Sequence, residues 1–370
     1  MIYLDHAAST PMRPGVWDAM APFATDRFGN PSGVHEVSRR AKDALEEARE
    51  TVASLVGSRP SEVVFTSGGT ESDNLAVKGA ALFGSRSGVV TVATEHEAVL
   101  QAGAFLERLG HPVTVVGVDR AGRVDPAAIA EAVTPSTAVV SVMAVNNETG
   151  VIADLPGVTQ SVREASPQTL IHTDAVQGVG AVDLDSLEVD MLSLSAHKFG
   201  GPKGAGVLIV REGVRIEPLI HGGGQEAGRR SGTNDVAGAV GLARAMALAF
   251  EDAPQDHGLR DDFEKLVLDR ISDAVVNGGG APRGPHHCNL RIPGVRNEDV
   301  LIRLDRAGVA ASAGSACQSG APSVSHVLTA MGLNRSEVKE SLRFSFGWTT
   351  TQSDAADAAA ALVDVIEALR

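Results

Sequence analysis

Apolar and polar positions along the 370-residue chain alternate between strand-like runs and helix-like runs. Short runs rich in β-branched residues predict strands at 62–66, 89–94, 138–145 and 170–173. Between them, apolar residues recur every three or four positions, and the longest such segment begins near His35 and ends at Gly57. Strands that alternate with helices in this way predict an α/β fold with a mostly parallel sheet flanked by helices.

One further strand-like run, 189–195, ends in Ser195-Ala196-His197-Lys198, just before a glycine turn. Lysine is rare here, since 6 of the 32 basic residues are lysines and the others are arginines. A desolvated lysine can lose its proton and condense with a carbonyl, which arginine cannot do. We therefore predict that Lys198 forms a Schiff base with an aldehyde cofactor, although a solvated lysine at a strand end is the simpler alternative.

Polar residues follow several of the predicted strands. Thr70, His96, Asn147, Asp174 and Lys198 each come after one of them. Ligands of open α/β sheets bind at the carboxyl ends of the strands, so we expect these five side chains to share one site. The turn before Thr70 opens a helix, a geometry whose N–H groups bind phosphate, but it lacks the spacing of a dinucleotide or nucleotide P-loop.

These residue types suit pyridoxal phosphate, which needs a lysine for its aldehyde, a carboxylate for its ring nitrogen and a phosphate cup. Lys198 and Asp174 supply the first two, and the Gly69-Thr70 turn supplies the cup. His96 is placed to stack on the ring and to move protons. Taken singly, Asp174 could be a helix cap and Asn147 a turn residue. As a set they predict a cofactor site.

Several longer motifs resemble those of the cysteine desulfurases, which are fold-type I, class V aminotransferase-like enzymes that use pyridoxal phosphate. The matching segments span nearly the whole chain and are 66–72, 94–96, 145–150, 172–177, 195–198, 221–226, 230–233, 314–317 and 341–345. The resemblance implies a large domain with a mostly parallel mixed sheet, residues 14–253, and a smaller α+β domain, residues 1–13 and 254–370. It also implies a homodimer with its active sites at the interface.

The resemblance assigns roles to individual residues. Catalysis would rest on Lys198, Cys317 and His96, and substrate would be bound by Asn147 and Arg343. The cofactor would be held by Gly69, Thr70, His96, Asn147, Asp174, Gln177, Ser195, His197 and Lys198, with Thr233 reaching it from the partner subunit. Arg343 lies in an alternating run, opposite its apolar neighbours, and a guanidinium can bind a carboxylate at two points.

Cys317 decides which member of the superfamily is expected. Its surroundings, 311–322, are almost all small residues, which predicts a mobile, exposed loop. A thiol there could take sulfur from L-cysteine as a persulfide, leaving L-alanine, and pass it to an acceptor such as an iron–sulfur scaffold. The alternative is another class V enzyme, a selenocysteine lyase or an aminotransferase, and the aminotransferase has no need of Cys317. A surface thiol without a role is the simplest explanation of Cys317 on its own.

The composition limits the classes of binding partner and the cellular compartment that we expect for this protein. The net charge of −14 disfavours nucleic acids and anionic membranes. Two cysteines and the absence of a signal-peptide pattern predict a cytoplasmic protein. We expect Cys288 to be buried and inert. No metal site is expected, because His286, His287 and Cys288 would point to alternate faces of a strand.

Overall fold

The computed structural model describes residues 1–252, 258–314 and 324–370. The strands of these residues are β1 (Ile2–Tyr3), β2 (Val63–Thr66), β3 (Gly88–Val92), β4 (Val113–Val116), β5 (Thr137–Ser141), β6 (Leu170–Asp174), β7 (Met191–Ser195), β8 (Gly206–Val210), β9 (Val275–Val276), β10 (His287–Arg291), β11 (Val309–Ala310) and β12 (Ser341–Ser345).

The helices of the described residues are α1 (Val16–Ala24), α2 (Glu36–Leu55), α3 (Gly69–Leu82), α4 (Glu97–Arg108), α5 (Pro126–Ala132), α6 (Leu155–Ala165), α7 (Val236–Asp252), α8 (Leu259–Leu268), α9 (Asn297–Arg306), α10 (His326–Ala330), α11 (Arg335–Lys339) and α12 (Gln352–Glu367). None of these helices combines the length and the apolar character needed to cross a membrane.

Seven strands form one sheet in the order β2-β8-β7-β6-β5-β3-β4. Strand β8 runs antiparallel to both of its neighbours, and the other neighbouring pairs are parallel. Consecutive residues contribute to different buried clusters, as Val63 and Val64 do. Since neighbouring strand residues point to opposite faces, both faces of the sheet are covered. This confirms the predicted α/β fold with a mostly parallel, mixed sheet.

A second buried core forms around the antiparallel strands β9, β10 and β12. Phe263 of α8 contacts Phe344 and Phe346, with ring centroids 4.8 and 5.6 Å apart. The first residues of the chain join this core: β1 pairs with β11, and Leu4 is fully buried. Residues 2–4 therefore pack against the second core. The residue limits of the two domains stay a prediction, and Ala253 and Pro254 lie outside the described residues.

One predicted strand was too long. The pattern of 138–145 predicts a strand reaching Val145, whereas β5 ends at Ser141. The backbone nevertheless keeps pairing with β6 beyond that point, because the N–H groups of Val142 and Ala144 donate to the carbonyl oxygens of His172 and Asp174. The chain turns at Asn146, whose Oδ1 accepts hydrogen bonds from the backbone N–H groups of Glu148 and Thr149. Asn147 is carried by the turn that results.

Leu4 offers a test of the N-terminal segment. Leu4→Ala should lower the free energy of unfolding by about 2–5 kcal/mol, because it opens a cavity in the second core. Leu109→Ala is the matched control, since Leu109 is 56% exposed and its truncation should change stability by roughly 0.5 kcal/mol or less. Urea unfolding of the two variants measures the difference. Equal losses would show that Leu4 does not anchor the segment.

Candidate active site

A cavity of about 640 Å³ opens at the carboxyl ends of the parallel strands. The predicted site residues that line it are Gly69, Thr70, His96, Asn147, Asp174, Gln177, Ser195, His197, Lys198 and Arg343. The structure therefore brings together side chains separated by up to 274 positions along the chain, from Gly69 to Arg343. Thr233 is exposed and does not line this cavity. Cys317 lies outside the described residues, although Gly314 and Val324 line the cavity.

The first turn of α3 forms one wall of the cavity. Gly68 caps the helix with φ +149°, a conformation that favours glycine. A side chain at Gly69 would have its Cβ 2.8 Å from Val176 Cγ2, so glycine is required for close packing there. The first N–H groups of a helix lack intrahelical partners and attract anions. With Thr70 and Ser195 beside it, this turn has the features of a phosphate cradle.

Lys198 lies in a short 3₁₀ turn directly after β7. Its Nζ donates hydrogen bonds to the carbonyl oxygens of Ala7 at 2.5 Å and Ala8 at 3.0 Å. Gln177 Nε2 donates to the same Ala7 oxygen at 2.9 Å. Burial, followed by the charge of Arg343, lowers the pKa of Lys198 to about 8. A neutral amine is therefore much easier to form here than on an ordinary lysine.

Asp174 ends β6 and is 4% exposed. Its Oδ1 accepts a hydrogen bond from the Val176 N–H at 2.9 Å. Burial raises the pKa of Asp174, while the charges of His96 and Lys198 and the Val176 N–H act against the rise. A cationic group placed in the cavity would favour the ionised carboxylate further. Asp174 is thus a suitable partner for a protonated ring nitrogen.

His96 precedes α4 and caps it, because its Nδ1 accepts a hydrogen bond from the Ala98 N–H at 3.1 Å. With Nδ1 as the acceptor, the proton of the neutral ring is on Nε2. Burial lowers the pKa of His96 more than Asp174 raises it. The ring is therefore a neutral proton-transfer group, held by the helix end.

Arg343 is 4% exposed and lines the opposite side of the cavity from β12. Its Nη2 lies 2.7 Å from Asp5 Oδ1, and its Nη1 donates to the Asn147 carbonyl oxygen at 2.9 Å. Its Nε has no partner among the described residues. Both terminal nitrogens of the guanidinium thus have partners, its Nε is buried, and Asp5 offsets its charge. The apolar residues Leu342 and Phe344 point into the second core, as the alternating pattern predicted.

Cys288 is fully buried, and burial raises the pKa of its thiol well above the ordinary value. The expectation that Cys288 is buried is confirmed, and that its thiol is inert stays a prediction. Sequence reasoning missed other residues of the site: Asp5, Asp73, Glu95, Glu148 and His326. Glu95 and Glu148 lie within the quoted motifs 94–96 and 145–150, and Asp73 directly follows the motif 66–72, which is the one signal that could have singled them out. His326 could not be found this way, because its Nε2 reaches the Glu95 carbonyl oxygen, 2.8 Å away, across 231 positions.

Comparison with known proteins identifies the family. The class-V aminotransferase family model matches residues 2–357. The cysteine desulfurase IscS of Dictyoglomus turgidum is 44% identical over 377 aligned residues, covering 100% of this chain and 95% of that protein. The chain belongs to the class-V aminotransferase family, within its cysteine desulfurase group. The expectation of a fold-type I enzyme of this group is confirmed.

Solved structures agree with this placement. A NifS-like protein superposes with a TM-score of 0.91 at 34% identity, with 99% of each chain covered. The protein SspA, solved in complex with cysteine, superposes with a TM-score of 0.84 at 35% identity, covering 95% of this chain and 100% of that one. The family match covers both buried cores of the structure, so it does not depend on the sheet alone.

The pKa of Lys198 can be measured in protein freed of any bound cofactor. The rate at which an amine-reactive reagent labels Lys198 should rise with pH around a midpoint of about 8, because burial and Arg343 disfavour the charged amine. Mass analysis of the Lys198 peptide at each pH gives the midpoint. A midpoint near the ordinary lysine value of about 10.4 would contradict the desolvated site.

Proposed function

We propose that this cysteine desulfurase binds pyridoxal phosphate through Lys198 and converts L-cysteine to L-alanine while Cys317 takes the sulfur. One observation carries the proposal: a lysine whose pKa is lowered to about 8 shares a cavity with the α3 N-terminus and with Asp174. These three features match the aldehyde, the phosphate and the ring nitrogen of the cofactor.

The residues of the cavity fit this cofactor. Lys198 would hold the aldehyde and Asp174 the ring nitrogen. The phosphate would bind Gly69, Thr70, Ser195 and His197, and Gln177 and Asn147 would contact the ring and its hydroxyl. When bound, the cofactor draws electrons from the substrate carbon next to the amino group, which makes the proton on that carbon acidic.

The chain's own residues do the rest. Arg343 and Asn147 orient the substrate carboxylate, so that the reacting carbon lies beside Lys198. Lys198, as a neutral amine, takes the proton from that carbon, and His96 assists the later proton transfers. The Cys317 thiolate attacks the substrate sulfur: a sulfur–sulfur bond forms, the carbon–sulfur bond breaks, and its electron pair remains with the substrate. Protonation of the carbon left behind gives alanine, and Cys317 carries the persulfide.

We further propose that the enzyme is a cytoplasmic homodimer. Thr233 is exposed and lies away from this chain's own cavity, as expected of a residue that contacts the phosphate of a partner subunit. The sulfur would pass from Cys317 to an acceptor protein, such as an iron–sulfur scaffold. The relatives named IscS support this direction of transfer.

The two cysteines separate desulfurase chemistry from any other reaction at this site. Cys317→Ala should still bind L-cysteine, seen as a change in the absorbance of the bound cofactor, but should release neither sulfide nor alanine, because no thiol remains to accept sulfur. Cys288→Ala is the matched control and should keep activity, since Cys288 is buried in the second core. A Cys317→Ala enzyme that still forms alanine and sulfide would move sulfur transfer to another group.

Arg343 tests substrate recognition. Arg343→Lys keeps the positive charge but loses the two-point geometry, so L-cysteine binding should weaken by roughly 1–3 kcal/mol. Arg291→Lys is the matched control, because Arg291 also lies on an antiparallel strand and pairs with a carboxylate, Glu337, but does not line the cavity. A cysteine titration followed by cofactor absorbance measures both. Unchanged affinity in Arg343→Lys would assign the carboxylate to another residue.

A further inference from the structure

Three buried carboxyl groups meet beneath the cavity, on Asp73, Glu95 and Asp174. They are 1%, 0% and 4% exposed, respectively. Functional atoms of Asp73, His96 and Asp174 all lie within 4.8 Å of one another. Like charges this close in a buried site cannot all be ionised, so at least one of these carboxyls must keep its proton.

Two of the three carboxyls accept hydrogen bonds from backbone N–H groups. Asp174 accepts one from the Val176 N–H and lies beside the charge of Lys198. Glu95 Oε1 accepts one from the Met143 N–H at 2.6 Å, although its Oε2 is buried without a partner among the described residues and burial raises the pKa of Glu95. Backbone N–H groups stabilise the ionised form of a carboxyl much more than the neutral form.

Asp73 lacks such support. No backbone N–H of the described residues donates to it; its one hydrogen-bonding neighbour is the Ser193 hydroxyl, and its Oδ1 is buried without a partner among those residues. His172 Nε2 lies 3.7 Å from that oxygen, too far for a hydrogen bond. Both His172 nitrogens are already engaged, with Ser141 Oγ and Ser193 Oγ, each at 2.9 Å. His172 is fully buried, so it offers Asp73 a neutral ring and no cation.

We propose that Asp73 keeps its proton in the working enzyme, so that Asp174 is the anion that faces the cofactor ring. Asp73 is then a positioning residue, which acts through Asp174 without taking part in bond making. The inference rests on the proposed function, because it places the cofactor's ring nitrogen at Asp174. A proton on Asp73 also explains how Oδ1 can be buried without a partner, since a neutral acid costs far less free energy to bury than a carboxylate.

Several titratable groups from neighbouring elements surround Asp73. Strand β6 presents Asp174 and neutral His172, the segment before α4 presents Glu95 and His96, and Lys198 follows β7. Of the three carboxyls, Asp73 and Asp174 line the cavity. An ionised Asp73 beside Asp174 would place two anions at the cavity wall against a single ring cation. With Asp73 neutral, Asp174 is the one carboxylate of the three at the cavity wall, and it pairs with the ring nitrogen.

Infrared spectroscopy of the cofactor-loaded enzyme at neutral pH tests the proposal. A protonated carboxylic acid has a carbonyl band that a carboxylate lacks. The band should be present in the wild type, absent from Asp73→Asn and retained in Glu95→Gln. A band that is lost in Glu95→Gln, or that is equally strong in wild type and Asp73→Asn, would overturn the proposal. Loss of the band in Glu95→Gln would refute the proposal even if Asp73→Asn does not fold.

The pH dependence of stability gives a second readout. A carboxyl that keeps its proton when folded binds that proton more tightly than in the unfolded chain, where its pKa is about 3.9. Wild type should therefore lose stability relative to Asp73→Asn as pH rises from about 4 to neutral. A relative stability that stays constant with pH would contradict the proposal. Mass analysis of the Lys198 peptide tests the proposed function separately from the protonation of Asp73. A peptide without cofactor would refute the proposed function, whereas the infrared result on Asp73 would still stand.

Discussion

The burial of the Lys198 amine beneath the N-terminal segment is the constraint on which the site depends. Nζ contacts the carbonyl oxygens of Ala7 and Ala8, so the segment must cross from the second core to the end of β7. The pairing of β1 with β11 and the burial of Leu4 hold it there. The reactivity of one lysine therefore requires both cores to be folded, although it lies in the large sheet.

The same arrangement places a positive and a negative charge of the site on different cores. Arg343, on a strand of the second core, lowers the pKa of Lys198 and places a positive charge at the cavity wall. Asp174, on the large sheet, provides the negative charge on the other side of the cavity. A substrate with a carboxylate and a cofactor with a protonated ring can then each meet an opposite charge. Asp73 stays uncharged between them by our proposal.

Much of this could be predicted from the sequence. Asp174 and Lys198 each follow a strand-like pattern in the sequence, and the carboxyl ends of parallel strands lie at the same edge of a sheet. The end of β5 at Ser141 could not be predicted, because the apolar pattern continues to Val145 and the N–H groups of Val142 and Ala144 still pair with β6. The pairing of Asp5 with Arg343 was also missed, since it joins residues 338 positions apart and leaves no periodic signal. Local pattern predicts elements and their ends, whereas contacts between the cores require the structure.

One measurement tests the central claim most directly. One sample of the cofactor-loaded enzyme is reduced with borohydride before any substrate is added, a parallel sample is mixed with L-cysteine and stopped by thiol alkylation, and both are digested for peptide mass analysis. Our account predicts the reduced cofactor on the Lys198 peptide and one additional sulfur atom on the Cys317 peptide, with the Cys288 peptide unchanged. Cofactor on another lysine, or the extra sulfur on Cys288 or on neither cysteine, would contradict it.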